Sequence, residues 1–572
     1  MLRTQLYADP AGRFVHDVIL DSCRRNSGKT ALIDTSCNRR FTYAEYGELV
    51  ESLARGLVSA GLAPGEVIAI FLPNCWEFAI TYHAATLAGA IPTLLNPAYR
   101  EREVRFQLEN SSAAFLITDA PLLEGINLGG LPALRRVFTT RSLTGTGFKS
   151  PLEGQKADPQ GLKPPYLADL SGTAQAAPYP KPTFETSSTH SEHGGCESFA
   201  SLLGPSTAAL PQPAKDSAQT VAALPYSSGT TGLPKGVMLS HHNLVANVYQ
   251  VLGPNAAPFV PDDILLCFLP LYHIFGLTVG LTLSTAQGST LVLMPRFDVQ
   301  KLCALLVQES VTMMPMVPPA ISALCQAVEA GVFPKNHKVR WIKSGAAPLA
   351  PELARRLNDL TGIAVNQGYG MTEASPVTHV GYLTPPEMNR PASIGQPLAL
   401  TDCRILDLND REVAPGEQGE LVMRGPQIML GYWKDPQATA AVLRDGWYYS
   451  GDIVRTDDDG FYYVLDRRKE MIKYKGFPVA PAEVESVLLE HPAVRDCGVV
   501  AKPDAEAGEI PCAFVVLRDA YTASDKLDKE LRGFVADRLA HHKQPREIRF
   551  VDAVPRTPSG KILRRELKKI LA

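Results

Sequence analysis

The chain has 572 residues, 45% of them hydrophobic and 20% charged, with a formal net charge of −3. That length is more than one hydrophobic core serves, so roughly two to four structural units are expected. The near-neutral balance excludes a partner held by bulk charge, such as nucleic acid or an anionic membrane. Its cysteines are scattered, with no Cys-x-x-Cys pair and no Cys/His cluster at metal spacing. They read as buried thiols in a reducing cytosol. The start, MLRTQLYADPAGRF, lacks an apolar signal core, and the end, KKILA, is not a Ser-Lys-Leu type address, so a cytoplasmic location is expected.

Residues 28–140 alternate apolar runs with helical patterns. VIAIFLP (67–73) predicts a buried strand, FAITYHAATLAGA (78–90) the helix after it, and AAFLITD (113–119) the next strand. Such alternation predicts a largely parallel sheet with helices on its faces. The apolar stretches 68–97 and 276–295 carry Pro73, Asn74, Glu77 and several hydroxyls, so buried strands and helices explain them better than membrane spans. Residues 142–220 are rich in Ser, Thr, Gly, Ala and Pro without an apolar period, and read as a long, partly disordered surface insertion. On that reading, excising 145–215 leaves a folded, active enzyme. The alternation resumes at 221. Between 400 and 465 come CRILDL, GELVMRG, GWYYSGDIV and GFYYVLD, separated by turn signals, which predict a small antiparallel unit. A polar run, Asp466 to Glu470, then precedes a small α+β unit. In it PAEVESVLLEHP (481–492) reads as a capped amphipathic helix, CGVVAKPD and PCAFVVLRD as strands, and 524–543 as a charged helix.

Residues 226–236, Tyr-Ser-Ser-Gly-Thr-Thr-Gly-Leu-Pro-Lys-Gly, combine backbone donors free to approach an anion, hydroxyls and the charge of Lys235. This is a phosphate cradle. It is not a Walker A loop, because Pro234 stands where that pattern needs glycine. In Gln367-Gly368-Tyr369-Gly370-Met371-Thr372-Glu373, Thr372 offers a hydroxyl to a phosphate and Glu373 a hard oxygen to Mg²⁺. Alone, this block also fits a plain polar turn. Asp452 can accept from ribose hydroxyls, although aspartates in turns more often bend backbone. Lys561 stands on a Pro/Gly loop before a basic helix, and without context is an ordinary surface lysine. His273 lies between apolar residues, where a satisfied core histidine is the plainer reading. Signatures of serine hydrolases, zinc proteases and dinucleotide-binding folds are missing.

Taken in order, YSSGTTGLPKGVMLSHHN, LPLYHIFGL, IKSGAAPL, QGYGMTEASP, GELVMRGPQIMLGYW, GWYYSGD, DRRKEMIKYKGFPVAPAEVE and PRTPSGKILRREL resemble the adenylate-forming superfamily. The resemblance runs from about 28 to 570, excepting 142–220. It is nearest the branch of 4-coumarate–CoA ligase, firefly-type luciferase and related acyl-CoA synthetases.

That resemblance implies an α/β fold: an N-terminal domain (1–465) of two α/β subdomains and a small β barrel, a hinge at 466–469 and a mobile α+β cap (470–572). It implies an ATP-dependent carboxylic acid:CoA ligase that forms acyl-AMP and pyrophosphate, then acyl-CoA and AMP, using ATP, Mg²⁺ and coenzyme A. Ser227, Ser228, Gly229, Thr230, Thr231 and Lys235 would hold the β/γ-phosphates. Gly345, Ala346 and Ala347, with Gln367, Gly368, Tyr369 and Phe275, would line the adenine and acyl pocket. Thr372 would touch the α-phosphate, Glu373 bind Mg²⁺, and Asp452 and Arg467 hold the ribose. His273 would stand beside the acid's carboxylate, and Lys561 would bridge it to the α-phosphate. After rotation about Lys469, Lys473, Lys475 and Gly476 would serve the thiol step, with Arg296 near the CoA phosphates. The acid stays open between an aryl-propenoate and a medium or long alkyl chain. A luciferase-like oxygenase and an enzyme loading a carrier-protein thiol remain rivals. An amino-acid substrate is disfavoured, because the run after His273 is Ile-Phe-Gly-Leu-Thr with no aspartate. A dead nucleotide-binding regulator is disfavoured by the intact Lys235, Glu373, Asp452 and Lys561.

Overall fold

The computed structural model describes residues 12–140, 196–212, 216–227, 234–253, 259–382, 388–475, 477–504, 506–557 and 560–571. Four sheets precede residue 468, one of them the small antiparallel sheet of Val221–Ala223, Lys235–Ser240 and Gly431–Tyr432, and a fifth follows it. The first is a five-stranded parallel sheet with Val67–Phe71 and Ala113–Thr118 at its centre and Ile91–Leu94 on one edge. Both central strands are buried along their whole length, which explains their unbroken apolar runs: a parallel sheet is covered on both faces. The crossover helix Trp76–Leu87 is also apolar all round, because almost every residue of it is buried.

The second sheet has nine strands, parallel through its middle and antiparallel at its edges. Here the N-terminal strand Thr30–Asp34 pairs in parallel with Thr290–Leu293, far along the chain. Trp341–Ser344 and Ala364–Gly370 run side by side in parallel. Their carboxyl ends therefore release Gly345–Ala347 and Gln367–Tyr369 at one edge of the sheet, where ligands of α/β folds bind.

Third comes the antiparallel sheet of Asp402–Leu406, Gly419–Arg424, Trp447–Thr456 and Tyr462–Arg467, the four strands that the turn signals predicted, with Leu443–Arg444 added. After Arg467 a turn leads into the last sheet, built on the long hairpin Val494–Asp504 and Gly508–Leu517. Glu547–Phe550 adds to it in parallel, and a separate apolar cluster including Ile472, Val499, Val515 and Leu531 fills it.

Some expectations are corrected. Most of the 142–220 stretch lies outside the described residues, but its end does not behave as a surface loop. Cys196–Ser198 is the edge strand of the parallel sheet, and Phe199, Leu202 and Leu203 are buried in the main core. Polar composition around them hid three core side chains. The helix expected over 481–492 spans Pro481–Leu489 and has no side-chain cap; Pro481 opens it instead. The charged helix expected over 524–543 ends at Ala536. The apolar stretch after Phe275 opens as a π-helix, Phe275–Thr282, continued by Leu283–Gln287. Among the described residues no helix is long and apolar enough to cross a membrane.

Candidate active site

A cleft of about 2420 Å³ lies where the carboxyl ends of the nine-stranded sheet, the antiparallel sheet and the C-terminal segment meet. Residues 228–233, and with them Ser228, Gly229, Thr230 and Thr231, lie outside the described residues. The strands on either side of them are described. Ser227 pairs with Lys235 and Tyr226 with Gly236, so both ends of the Ser/Thr/Gly run start at the cleft. The Lys235 ammonium lies 5.0 Å from the centre of the Tyr432 ring and 4.0 Å from Asp435.

The Tyr432 hydroxyl donates to Glu373 Oε1 at 2.9 Å. Glu373 is buried in the short turn Thr372–Ala374, beside Thr372 on the cleft wall. Gly370 makes that turn possible: a Cβ there would come within 1.9 Å of the Pro376 carbonyl oxygen. Its neighbour Tyr369 donates its hydroxyl to Asp452 Oδ2, and Arg467 Nε stands 3.3 Å from Asp452 Oδ1. Asp452 and Arg467 are cross-strand partners, so the sheet register itself sets this pair. Burial and the Asp452 charge hold the Tyr369 phenol protonated.

His273 lines the same cleft at the mouth of the π-helix. The backbone N–H of Phe275 donates to its Nδ1 at 3.3 Å, which leaves the proton of the neutral ring on Nε2. Burial, then the charge of Lys561, push the imidazole down to about 4. Phe275 fills the space over Gly345, where a Cβ would lie 2.9 Å from its ring. Ala346, next along, holds a left-handed backbone (φ 68°), a conformation that costs an alanine about 1 kcal/mol or more. Gln367 is spent on structure: its Oε1 accepts from Leu349 N and its Nε2 donates to the Pro391 carbonyl. It lines the cleft with Gly368 and Ala347.

Lys561 reaches this cleft from the far end of the chain. Its loop is closed by Thr557–Lys561 backbone and hydroxyl bonds. Desolvation by the surrounding walls, then Arg467, lower its ammonium, while Asp452, Glu373 and Glu470 pull the other way. Lys469 also lines the cleft, on the turn between the last two sheets.

The remaining expected residues are not brought together. Lys473 is exposed and outside the cleft, with its N–H on Glu509. Lys475 pairs with Glu506 at 2.7 Å on the surface. Arg296 is exposed just beyond Thr290–Leu293 and does not line the cleft. Gly476 lies outside the described residues.

One cleft residue had gone unnoticed. Lys343 is 8% exposed on the strand Trp341–Ser344, and its stem crosses the face of Gly368. Its ammonium reaches the Gly381 carbonyl at 3.4 Å. Desolvation pushes it down to about 7. The cleft wall also carries the apolar side chains of Val251, Phe259, Phe275, Val279, Val377 and Val380. The run Trp-Ile-Lys-Ser carried no signal of this, because burial here is set by the strands on either side.

The model of the AMP-binding enzyme family matches residues 19–433, and that of its C-terminal domain matches 483–561. The chain belongs to the AMP-binding enzyme family. Among curated members, it is 35% identical to 4-coumarate–CoA ligase 5 of Oryza sativa subsp. japonica, over 98% of this chain and 94% of that protein. It is 33% identical to 4-coumarate–CoA ligase 1 of Arabidopsis thaliana, over 98% and 92%. Among solved structures, it superposes on o-succinylbenzoate CoA synthetase (MenE) from Bacillus subtilis in complex with its acyl-adenylate intermediate. There the TM-score is 0.75 and the identity 28%, over 96% and 97% of the two chains. ATP-bound MatB from Rhodopseudomonas palustris gives a TM-score of 0.81 at 25% identity, over 98% and 99%. As an AMP-binding enzyme, this chain brings Ser227, Lys235, His273, Glu373, Asp452 and Lys561 to one cleft.

Proposed function

We propose that this AMP-forming acid:CoA ligase carries out both half-reactions in the one cleft, on a hydroxylated aryl-propenoate. What carries the reading is the convergence of His273, Glu373, Asp452 and Lys561, from four distant segments, on that cleft. In the first half-reaction a carboxylate oxygen attacks the α-phosphorus of ATP, the bond to the β-phosphate oxygen breaks, and pyrophosphate leaves. Each pair of like charges brought to 4 Å opposes this by ~4 kcal/mol at an effective dielectric of about 20. Lys235 and the 227–231 run hold the β- and γ-phosphates, and Lys561 meets the carboxylate and the α-phosphate. His273, neutral above about pH 4, donates from Nε2 and so orients the carboxylate without protonating it. Thr372 contacts the α-phosphate, and Asp452, set by Tyr369 and Arg467, accepts from the ribose hydroxyls.

Glu373 fits Mg²⁺. Tyr432 occupies one of its oxygens, and no described residue bonds the other. Among the described residues no group of acidic or imidazole side chains makes a metal cage, which suits an ion held by one carboxylate, water and phosphates. When bound, Mg²⁺ neutralises the phosphate charge. In the second half-reaction a thiolate attacks the acyl carbonyl carbon, the carbon–oxygen bond to AMP breaks, and AMP leaves. We read 1–465, 466–469 and 470–572 as body, hinge and cap. Rotation about Lys469 carries Lys473, Lys475 and Gly476 to the cleft, and Arg296 waits for the CoA phosphates. A cytoplasmic setting agrees with this chemistry.

The choice of acid follows the curated 4-coumarate–CoA ligases quoted above, which are named for such an acid. The test is acid-dependent pyrophosphate release with and without CoA across hydroxylated aryl, plain aryl and alkyl acids. Alkyl acids outrunning hydroxylated ones in the wild type would overturn the reading. Release that ignores CoA would point to another acceptor.

A further inference from the structure

Next to Arg467 on the strand Tyr462–Arg467 stands a buried carboxylate, Asp466. Its Oδ2 accepts the N–H of Ala482, in the first turn of the helix Pro481–Leu489, at 2.8 Å. The same oxygen faces Arg564 Nη2 at 3.9 Å. Arg564 opens the last helix, one turn past Lys561, with its side chain mostly covered. It donates to Glu470 at 2.7 Å, to the Val499 carbonyl at 2.7 Å, and to Glu485. Glu485 also accepts the Val499 N–H at 2.7 Å.

Of these four charged groups, only Asp466 belongs to the antiparallel sheet; Glu470 closes the turn at 468–470, and Glu485 and Arg564 follow it. Glu470 and Glu485 neutralise Arg564 inside the C-terminal part, so that part does not need Asp466 to satisfy its own charge. The Asp466 contacts are the ones that cross the turn. They lie beside the Lys561 loop, whose Gly560 packs a Cβ position 3.1 Å from Pro319 of the larger part. Arg556 braces the same loop through the Gly560 carbonyl at 2.7 Å and through Asp496 at 2.6 Å.

We propose that Asp466 and Arg564 are positioning residues: they latch the C-terminal part in the pose that delivers Lys561 to the cleft, and they separate for the thiol step. This rests on the reading that the two half-reactions use two poses. A buried ion pair suits a latch. Desolvating two charges offsets most of their attraction, so the pair fixes geometry while adding little net stability, and releasing it restores hydration to both. Burial raises the Asp466 carboxyl to about 6 despite the charge of Arg564.

Single-turnover kinetics on the full-length enzyme test the proposal. Asp466→Asn keeps the size of the side chain and an acceptor for Ala482 but removes the charge. It should slow acyl-adenylate formation roughly 10- to 100-fold, as small misplacements of a catalytic group do, with KM for ATP and acid nearly unchanged. Thioester formation from supplied acyl-adenylate and CoA should keep its wild-type rate. Arg564→Lys, which keeps the charge and loses the fork, should show the same split if the first variant folds poorly. Wild-type adenylation in both variants, or equal slowing of both steps, would overturn the latch. Lys561→Ala run in parallel separates the two failures. If it too adenylates normally, the role given to Lys561 falls, and the latch with it. If it is crippled while Asp466→Asn is not, only the latch falls.

Discussion

At the scale of single residues, Glu373 is held by a phenol rather than by a cation, and Lys235 sits over the face of that same phenol ring. Its charge therefore stays available to a divalent ion. Glu373→Gln keeps the Tyr432 bond and removes the charge, so pyrophosphate release should fall on the order of 100-fold while the melting curve stays in place. Near-normal release at low Mg²⁺ would sink the assignment. Histidines give a second prediction. His83, His241 and His379 are almost fully buried, and burial lowers each to about 3; His273 lies at about 4. Unfolded, each titrates near 6.5. Between these values the unfolded chain binds more protons, so stability falls as pH drops from about 6.5 toward 3, by up to ~1.4 kcal/mol per unit for each histidine. Asp466 and Glu77, whose carboxyls are raised by burial, oppose this over a narrower range. Urea midpoints measured from pH 7 to pH 4 should decline, and a flat series would refute the argument. Lys235 could be singled out from its own block of small residues, whereas Glu373, Asp452 and Lys561 stood out only through the resemblance; all four line one cleft. Lys343 stood out in neither way: nothing local separates an exposed strand lysine from one that neighbouring strands bury.

Elements were legible where one segment's own pattern decides its structure. The apolar runs at 67–71 and 113–118 and the turn-bounded strands between 402 and 467 fall where the pattern put them. They failed where a partner decides. The strand Cys196–Ser198 is three residues long and pairs with Arg136–Thr139, across a polar stretch that gives no hint of it. Next to it, Leu202 presses its carbonyl so closely on Gly56 that a Cβ there would lie 1.9 Å away. Phe199 packs edge-on against Trp76 at 6.3 Å. Phe199→Ala or Leu202→Ala should each lower stability by about 2–5 kcal/mol, read as a shift of the urea midpoint. An excision of 145–215 that runs through them should yield insoluble protein. Soluble, active protein from that excision would restore the reading of the whole stretch as a loop.

For the molecule as a whole, the two C-terminal lysines stand in different places in one pose: both are exposed, but Lys561 lines the cleft and Lys473 does not. If the cap turns, Lys561→Ala should slow acyl-adenylate formation on the order of 100- to 1000-fold and spare thioester formation from supplied acyl-adenylate. Lys473→Ala should do the reverse, at least in part. Rapid-quench measurement of each half-reaction decides it: equal effects on the same step would require a single fixed pose. Domain order was readable from the alternation of strand and helix and from the polar run at 466–470. Which pose the cap adopts was not, because it depends on contacts such as Gly560 on Pro319 that no local pattern announces.

The parallel pairing of Thr30–Asp34 with Thr290–Leu293 also sets the order in which the molecule is assembled. On the ribosome the strand at residue 30 is made early, and its partner emerges only some tens of seconds later, at about 5–20 residues per second. The five-stranded sheet, complete once Ser198 is out, has its strands in hand well before then. The hairpin of Thr30–Asp34 and Arg39–Thr42 is thus synthesised first and seated late, an unclaimed sheet edge through much of translation. Nascent chains that stop short of residue 293 leave that edge open, and it is there that a stalled or slowly made copy is most exposed to pairing with a neighbour.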